Sequence, residues 1–336
     1  MPAPRTPRIG AYWHVLRTLR EGARRITMET RTFSPTGDTL SVLGFGAAPL
    51  GGAYGEMTDA RATAAVHRAL DLGVTVFDTS PYYGATVSES RLGAALEGRR
   101  DEVFLITKCG RYGEADFDFT ADRVTRSIDE SLERLRTDRV DLLLAHDIEF
   151  DSPELVLNET LPALARIKES GKARSIGVSG YPLAALERMA EEFPLDVVLS
   201  YCHGNLLDRS LFDELQPRCA ARGQAVLNAS ILHMGVLTTA GPPPWHPAPD
   251  EVKAVGGAVA RLCEERGTSI VDVALRHAMA QPAIPSTLVG VRSAEEIERN
   301  VQALAVDPAA DAELLVEIEA MVAPVLGATW PSGHFD

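Results

Sequence analysis

The chain has 336 residues, enough for two average domains or for one α/β barrel. Its content of 45% apolar and 24% charged residues is ordinary for a soluble globular protein, and its net charge of −14 argues against nucleic acid or an anionic membrane surface as a partner. Four widely spaced cysteines, with no CxxC pair, favour a reducing cytoplasm, and no apolar run approaches the roughly 20 residues that span a bilayer.

The first 27 residues are predicted to be an appendage to the fold. They are basic, but they lack the apolar stretch and the small-residue cleavage site of a secretory signal. We expect the segment to be poorly ordered and Met28 to be the true start of the protein. From Met28, the sequence predicts a hairpin that leads into the first strand.

From about residue 40, short apolar runs alternate with helical patterns. Runs rich in Val, Ile and Leu are typical of strands that are buried on both faces of a parallel sheet. The strand runs are 40–46, 74–80, 102–108, 140–146, 173–179, 195–201, 223–230 and 286–291, and the helical patterns are 59–73, 121–136, 161–171, 182–193, 251–267 and 270–280. Eight strands alternating with helices predict an α/β fold, namely a (β/α)8 TIM barrel formed by residues 28–336 as a single domain.

Two further stretches refine this prediction. The string GFGAAP (44–49) has a proline where the turn of a doubly wound dinucleotide-binding fold needs its third glycine, so we reject that fold. The string GPPPWHPAP (241–249) is too rich in proline for a helix or strand. It predicts a long loop over the C-terminal mouth of the barrel.

Polar residues that follow the barrel strands face the active site in folds of this kind. Asp78, Lys108 and His146 end three consecutive strand runs, and Tyr83 follows Asp78 by five residues. An ammonium group lowers the pKa of a neighbouring phenol toward the working range. The four residues therefore predict a proton relay in which Lys108 activates Tyr83, Asp78 fixes Lys108, and His146 orients the substrate oxygen.

The strings FDTSPYYG (77–84), ITKCG (106–110) and DLLLAHD (141–147) resemble three segments of the aldo-keto reductases, which are (β/α)8 oxidoreductases that use NAD or NADP. The resemblance covers nearly the whole chain after residue 40. It implies that Asp78, Tyr83, Lys108 and His146 form the catalytic tetrad of that family. Within the family, HDIEF, LSYCH, MGVLT and GPPPWHPA are most similar to the aldose 1-dehydrogenases.

The same resemblance indicates where the cofactor binds. Many relatives have Asn at the position of Gly180, beside the nicotinamide. Relatives that prefer NADP carry Lys, Ser and Arg where this chain has Gly290, Val291 and Glu296. A carboxylate suits a ribose hydroxyl and repels a phosphate, so NAD is predicted over NADP, although Arg292 remains a possible phosphate partner. The predicted cofactor-binding residues are Ser179, Tyr201, Ser230, Gly290, Val291, Arg292, Glu296 and Asn300.

The resemblance implies oxidation of C1 of an aldose of the L-galactose, L-fucose or D-arabinose class to its lactone. The alternatives are an NADPH-dependent reductase of small aldehydes, ketones or keto-sugars and, less expected, a non-catalytic barrel subunit. The histidines lack metal-binding spacing, so no metal is predicted. We expect a monomer or small homo-oligomer. The predicted substrate pocket contains Tyr82, Asp147, His203, Asn228, His233, Trp245 and His246.

Overall fold

The structure is a computed structural model that describes residues 27–52 and 55–334. The predictions for residues 1–26 therefore lie outside the described residues. Within the described part, eight parallel strands close into a barrel, in which each strand pairs with its neighbours in chain order and the last pairs with the first. Its strands are β3 (Leu43–Gly46), β4 (Val76–Asp78), β5 (Phe104–Cys109), β6 (Val140–His146), β7 (Ala173–Gly180), β8 (Val197–Tyr201), β9 (Ala225–Ala229) and β10 (Thr287–Gly290). Each predicted strand run overlaps one of them, and the (β/α)8 fold is confirmed.

Helices lie between the strands and cover the outside of the barrel. Several begin at a residue whose side chain accepts a hydrogen bond from the first turn, as Thr58, Thr120 and Ser293 do. None of the described helices has the length and apolar character that crossing a membrane requires. The helices are α1 (Asp59–Asp71), α2 (Val87–Ala95), α3 (Ala121–Leu135), α4 (Leu161–Glu169), α5 (Leu183–Glu192), α6 (Gln216–Ala221), α7 (Asp250–Glu265), α8 (Ile270–Met279), α9 (Ala294–Ala303) and α10 (Ala312–Val322).

Alternate residues of each strand face the barrel interior and the helices. Val76, Ile106 and Leu144 belong to the apolar cluster inside the barrel, whereas their neighbours Phe77 and Leu105 pack in the outer core. Since the side-chain period of a strand is two, the residues two positions after the interior ones also point inward. Those residues are Asp78, Lys108 and His146, at the C-terminal ends of β4, β5 and β6.

An antiparallel hairpin of β1 (Thr30–Phe33) and β2 (Asp38–Ser41) closes the opposite, N-terminal end of the barrel. This hairpin agrees with the one predicted from Met28 onward. Phe33 is fully buried in the interior apolar cluster, and its ring lies 5.1 Å from that of Phe104. Arg174 pairs with both Asp38 and Asp141 at the rim. The hairpin thus seals the end of the barrel that is remote from the polar strand ends.

After α10 the chain crosses the C-terminal side of the barrel as the C-terminal segment, residues 326–334. Its contacts reach three different loops. The Gly327 amide donates to the Leu207 carbonyl (2.9 Å), and the Trp330 amide donates to the Tyr181 hydroxyl (3.3 Å). The His334 amide donates to the Glu149 carbonyl (2.7 Å). The segment therefore forms part of the same mouth into which Asp78, Lys108 and His146 project.

Candidate active site

A buried ammonium group lies at the centre of the mouth. Lys108 Nζ donates to both carboxylate oxygens of Asp78, at 2.8 and 2.7 Å, and to the Thr79 carbonyl at 2.9 Å. It also donates to the Tyr83 hydroxyl at 3.2 Å. Burial raises the pKa of the Asp78 carboxyl, and the charge of Lys108 opposes that rise. The ammonium group is thus held beside the phenol by the carboxylate.

A tight turn after β4 presents Tyr83 to this ammonium group. The Tyr83 amide donates to the Ser80 carbonyl (3.1 Å), and the following residue, Gly84, has a φ of +64° that favours glycine. The turn rests directly on the backbone of Gly51. A Cβ atom built on Gly51 would lie 2.6 Å from the Tyr83 carbonyl oxygen. The position of Tyr83 therefore depends on close backbone contact between two loops.

His146 lies across the mouth from Tyr83, with the two rings perpendicular and their centroids 5.8 Å apart. Burial, opposed by Asp147 and aided by Lys108, lowers the pKa of His146 to about 3, so the imidazole is neutral at pH 7. Its Nδ1 lies 3.1 Å from Ser80 Oγ, which in turn accepts from the Tyr82 amide. If the serine hydroxyl donates to Nδ1, the proton of the neutral ring is on Nε2. His146 can then donate a hydrogen bond from Nε2 to a substrate oxygen.

Asp147 follows His146 and pairs with an arginine. Arg111 Nη1 donates to Asp147 Oδ2, and the Arg111 guanidinium lies 3.7 Å from the centroid of the Tyr82 ring. Asp147 Oδ2 lies 3.6 Å from His146 Nε2, beyond hydrogen-bonding distance. The second oxygen, Oδ1, is buried without a hydrogen-bond partner among the described residues. The mouth thus contains one carboxylate oxygen, Asp147 Oδ1, that takes no part in the ion pair with Arg111.

Glu149 is a second buried carboxyl group at this mouth. Its Oε1 accepts from the Tyr181 amide and from Ser332 Oγ, both at 3.1 Å, and lies 3.5 Å from the Tyr201 hydroxyl. Its Oε2 has no partner in the described part of the chain, and a Cβ atom on Gly180 would lie 2.5 Å from it. Burial and the charge of Asp147 raise the pKa of Glu149 to about 8. The carboxyl group therefore occupies the space that the absent Gly180 side chain leaves.

The remaining predicted pocket residues lie on the β8 and β9 side of the mouth. Trp330 of the C-terminal segment stacks on Tyr181 with centroids 4.3 Å apart, and its ring lies near those of His233 (5.2 Å) and His246 (5.4 Å). Burial lowers the pKa of His233 to about 3. The His203 ring is tilted against that of Tyr181, with centroids 4.6 Å apart. Asn228 donates to the Gly204 carbonyl, and Trp245 is 64% exposed.

The predicted cofactor residues lie along one side of the barrel, from β7 to α9. Ser179 is the penultimate residue of β7, and its carbonyl accepts from the Asp147 amide (2.7 Å). At β10, the Val291 amide donates to Gly46, and Gly290 is exposed. The Glu296 carboxylate accepts from both the amide and the guanidinium of Arg292. Ser230 is half-buried in the turn after β9, and Asn300 is buried in α9. The roles of these residues stay predictions.

Four residues of this mouth were not among the predicted site residues. Ser80 contacts the ring of His146, and Arg111 pairs with Asp147. Glu149 and Trp330 connect the C-terminal segment to the loops after β6 and β7. Ser80 lies within the string FDTSPYYG, between Asp78 and Tyr83, so its position offered a signal. Arg111 lies just after the string ITKCG, and its contact with Asp147 has no such signal. Among the described residues, no group of three His, Cys, Asp or Glu side chains could hold a metal ion.

Comparison with known proteins gives several close relatives. The L-galactose dehydrogenase of Arabidopsis thaliana is 45% identical over 314 residues, which cover 91% of this chain and 98% of the relative. The D-arabinose 1-dehydrogenase of Saccharomyces cerevisiae is 35% identical over 67% of this chain and 71% of the relative. The D-threo-aldose 1-dehydrogenase of a Pseudomonas species is 29% identical over 81% and 91%.

Among solved structures, the holo form of an aldo-keto reductase from Bacillus halodurans superposes with a TM-score of 0.74. It is 23% identical and covers 92% of this chain and all of the other, which supports the shared fold. The sequence profile of the aldo/keto reductase family matches residues 42–320. With this match and the 45% identical relative, the chain belongs to the aldo/keto reductase family and is an oxidoreductase enzyme.

Proposed function

We propose that this protein oxidises C1 of an aldose to the lactone, with NAD as the preferred cofactor. The observation that carries the proposal is the contact of the buried Lys108 ammonium with the Tyr83 hydroxyl, 3.2 Å away, opposite the neutral His146. Three relatives whose names specify sugar dehydrogenation support the choice of substrate class. The sugars L-galactose, L-fucose and D-arabinose are the first candidates.

The residues beside Ser179 fit a nicotinamide ring. A carboxamide offers two N–H donors and one acceptor, and the buried Glu149 Oε2 lacks a partner among the described residues. Gly180 leaves room for that carboxyl, and the Tyr201 hydroxyl lies close to it. We therefore infer that Ser179, Glu149 and Tyr201 hold the carboxamide. When bound, the nicotinamide accepts a hydride from the carbon that is oxidised.

Tyr83 acts as the base in this proposal. Oxidation of an alcohol carbon requires loss of the hydroxyl proton, and a phenolate is a suitable acceptor only if its pKa is brought toward neutrality. The Lys108 ammonium stabilises the phenolate, and Asp78 keeps that ammonium in place within a buried site. The C1 hydroxyl proton passes to the Tyr83 oxygen as the hydride leaves C1.

His146 positions the oxygen that loses its proton. Because burial lowers the pKa of His146 to about 3, the ring neither carries charge nor titrates in the working range. Ser80 fixes the tautomer through Nδ1, which leaves Nε2–H to donate to the C1 oxygen. A neutral donor holds the oxygen without competing with Tyr83 for the proton.

The preference for NAD over NADP is proposed from the contacts of Arg292. Its amide and its guanidinium group are both bound to Glu296, four residues later. A 2′-phosphate at this position would have to displace Glu296 from Arg292 and would be repelled by its charge, whereas a ribose hydroxyl could donate to it. We also expect the enzyme to work in a reducing cytoplasm, because Cys109, Cys202, Cys219 and Cys263 are all free and buried.

An aldose panel tests the proposal. Purified protein is mixed with L-galactose, L-fucose or D-arabinose and with NAD+ or NADP+, and formation of the reduced cofactor is followed by absorbance. We expect turnover of at least one aldose, with a higher kcat/KM for NAD+. If the aldoses all fail while simple aldehydes are reduced with NADPH, the protein is a carbonyl reductase instead. Binding of the cofactor without turnover of any carbonyl or sugar would indicate a non-catalytic barrel.

A further inference from the structure

A polar pair, Arg111 and Asp147, lies beside the imidazole that is proposed to hold the C1 oxygen. Asp147 Oδ2 is 3.6 Å from His146 Nε2 and accepts from the Arg111 guanidinium, which stacks on the Tyr82 ring. Phe117 and Phe150 flank the same guanidinium, at 5.0 and 5.6 Å. The imidazole nitrogen that is proposed to bind the C1 oxygen therefore lies next to the Asp147 carboxylate.

The second oxygen of Asp147 is prepared for a ligand. Asp147 is 3% exposed, and Oδ1 has no hydrogen-bond partner among the described residues. Its backbone is fixed, because its amide donates to the Ser179 carbonyl (2.7 Å) and its φ is +54°. A buried carboxylate oxygen without a donor is costly, and a rigid residue cannot turn to find one. A donor supplied by the substrate would satisfy it.

The chemistry of the carboxylate selects the donor. An ionised carboxylate only accepts hydrogen bonds, so it can bind a hydroxyl group but not the ring oxygen of a sugar. His146 Nε2 lies 3.6 Å from the nearer oxygen of the Asp147 carboxylate, so groups bound by the imidazole and by this carboxylate must be close neighbours in the substrate. When His146 holds the oxygen on C1, the hydroxyl on C2 is the donor that reaches Asp147.

We infer that Asp147, held by Arg111, recognises the hydroxyl group on C2 of the aldose. The inference rests on the proposed oxidation at C1 and specifies how that substrate is selected. Arg111 is a positioning residue, since it acts through Asp147: its guanidinium donates to Oδ2 and so holds the carboxylate in place. An aldose without the C2 hydroxyl would leave Asp147 Oδ1 buried and unbound, and simple aldehydes would suffer the same loss.

The test combines substrate analogues with substitutions. The wild-type protein, Asp147→Asn, Arg111→Met and Arg111→Lys are assayed with L-galactose, 2-deoxy-L-galactose and L-fucose, which is L-galactose without its C6 hydroxyl. Asn tolerates a left-handed φ at least as well as Asp, so the first variant keeps the backbone. In the wild type, we expect kcat/KM to fall at least about 100-fold on removal of the C2 hydroxyl. The fall on removal of the C6 hydroxyl should be much smaller.

In Asp147→Asn and Arg111→Met, the penalty for the 2-deoxy sugar should shrink to about tenfold or less, mainly through loss of kcat/KM on the parent sugar. Arg111→Lys retains the charge and should recover part of the discrimination. Arg123→Met is the matched control, because Arg123 also stacks on a tyrosine ring, that of Tyr112 at 3.7 Å, but outside the mouth. It should discriminate as the wild type does. Thermal unfolding and the Kd for the cofactor verify that each variant folds.

The outcomes separate the two proposals. Equal kcat/KM for L-galactose and its 2-deoxy analogue in the wild type would overturn the role of Asp147 while leaving aldose oxidation intact. An unchanged penalty in folded Asp147→Asn would do the same. If the wild type oxidises none of the parent aldoses with either cofactor, the proposed function itself fails.

Discussion

Tyr83 is the residue on which the proposed chemistry depends most directly. Tyr83→Phe keeps the ring against His146 but removes the group that takes the proton. We expect kcat to fall by about 10²–10⁴-fold, which is typical of losing a general base. The Kd for the cofactor should be unchanged, because the hydroxyl acts on the substrate oxygen. Steady-state kinetics and a fluorescence titration of the cofactor measure the two quantities.

Tyr112→Phe is the control for that experiment. The Tyr112 hydroxyl is also buried, but it lies under Arg123, away from the Lys108 ammonium. Removing it should leave kcat close to the wild-type value. If Tyr83→Phe retained wild-type turnover, another group would have to be the base.

Glu149 predicts a pH dependence of stability that can be isolated. Burial and the charge of Asp147 raise the pKa of Glu149 to about 8 in the folded chain, whereas the unfolded chain ionises near pH 4. Between those values folding takes up a proton, so the contribution of Glu149 to stability is full at low pH and is lost as the pH rises toward 8. Glu149→Gln cannot ionise. We expect this variant to gain stability relative to the wild type by about 1 kcal/mol per pH unit from pH 5 to 8.

Urea unfolding of both proteins from pH 5 to 9 measures this difference in the free energy of unfolding. Above pH 8 the difference should level off, since Glu149 is then ionised in both states. Glu313→Gln removes an exposed carboxylate from α10 and should show no such trend. A difference between Glu149→Gln and the wild type that does not vary with pH would mean that Glu149 ionises normally.

The sequence identified the candidate site only in part. Asp78, Lys108 and His146 could be predicted because each ends a strand, and the strand ends of a barrel converge. Arg111 could not be predicted, since the sequence does not say which carboxylate or ring an arginine side chain will contact. Glu149 can be buried because Ser332, 183 residues later in the chain, donates to it and because Gly180 has no side chain where the carboxyl group lies. Such a contact depends on the path of the C-terminal segment, which local patterns do not encode.

At the scale of elements, the contact between two loops fixes the base. Gly51→Ala would place a methyl group 2.6 Å from the Tyr83 backbone, so the turn that carries Tyr83 must move. We expect kcat to fall at least about tenfold, because small displacements of a reacting group are costly. The free energy of unfolding should fall by about 1–3 kcal/mol, as for other overpacked sites. Kinetics and chemical unfolding measure the two effects.

Gly257→Ala makes the same change of one methyl group in the interior of α7. Apart from Arg261 Nη1 at 3.6 Å, a Cβ atom there meets open space, so the variant should be more stable by about 0.5–1 kcal/mol. Its kcat should match the wild type. Unchanged kinetics in Gly51→Ala would show that the turn tolerates displacement.

The elements themselves differ in how well the sequence specifies them. The barrel strands were visible because continuous apolar runs are typical of parallel strands covered on both faces. Helix α2 was not among the predicted elements. Its buried face includes Ser88 and Glu89, and Glu89 is bound by Arg134 and Thr107, so the apolar period is absent. An element that is held by buried ion pairs does not present the pattern that sequence reasoning uses.

At the scale of the whole molecule, the apolar packing around Phe33 and the candidate active site lie at opposite ends of the barrel. Phe33 fills the N-terminal end, whereas Tyr83 and Lys108 lie at the other. Phe33→Ala should lower the free energy of unfolding by about 3–5 kcal/mol through the cavity that it leaves. At temperatures below unfolding, kcat/KM should be unchanged. Parallel melting curves and kinetics test this; a large loss of kcat in the folded variant would indicate that the two ends are coupled.

The proposed catalytic residues and most of the proposed cofactor-binding residues come from different halves of the chain. Asp78, Tyr83, Lys108 and His146 come from β4 to β6 and the loops that follow, within the first half of the chain. Apart from Glu149, the residues proposed to bind the cofactor run from β7 to α9, in the second half. Gly171, in the turn between the halves, has open space around it. Exchanging the half after Gly171 with that of a relative could therefore change the cofactor while the inherited acid–base machinery is kept whole.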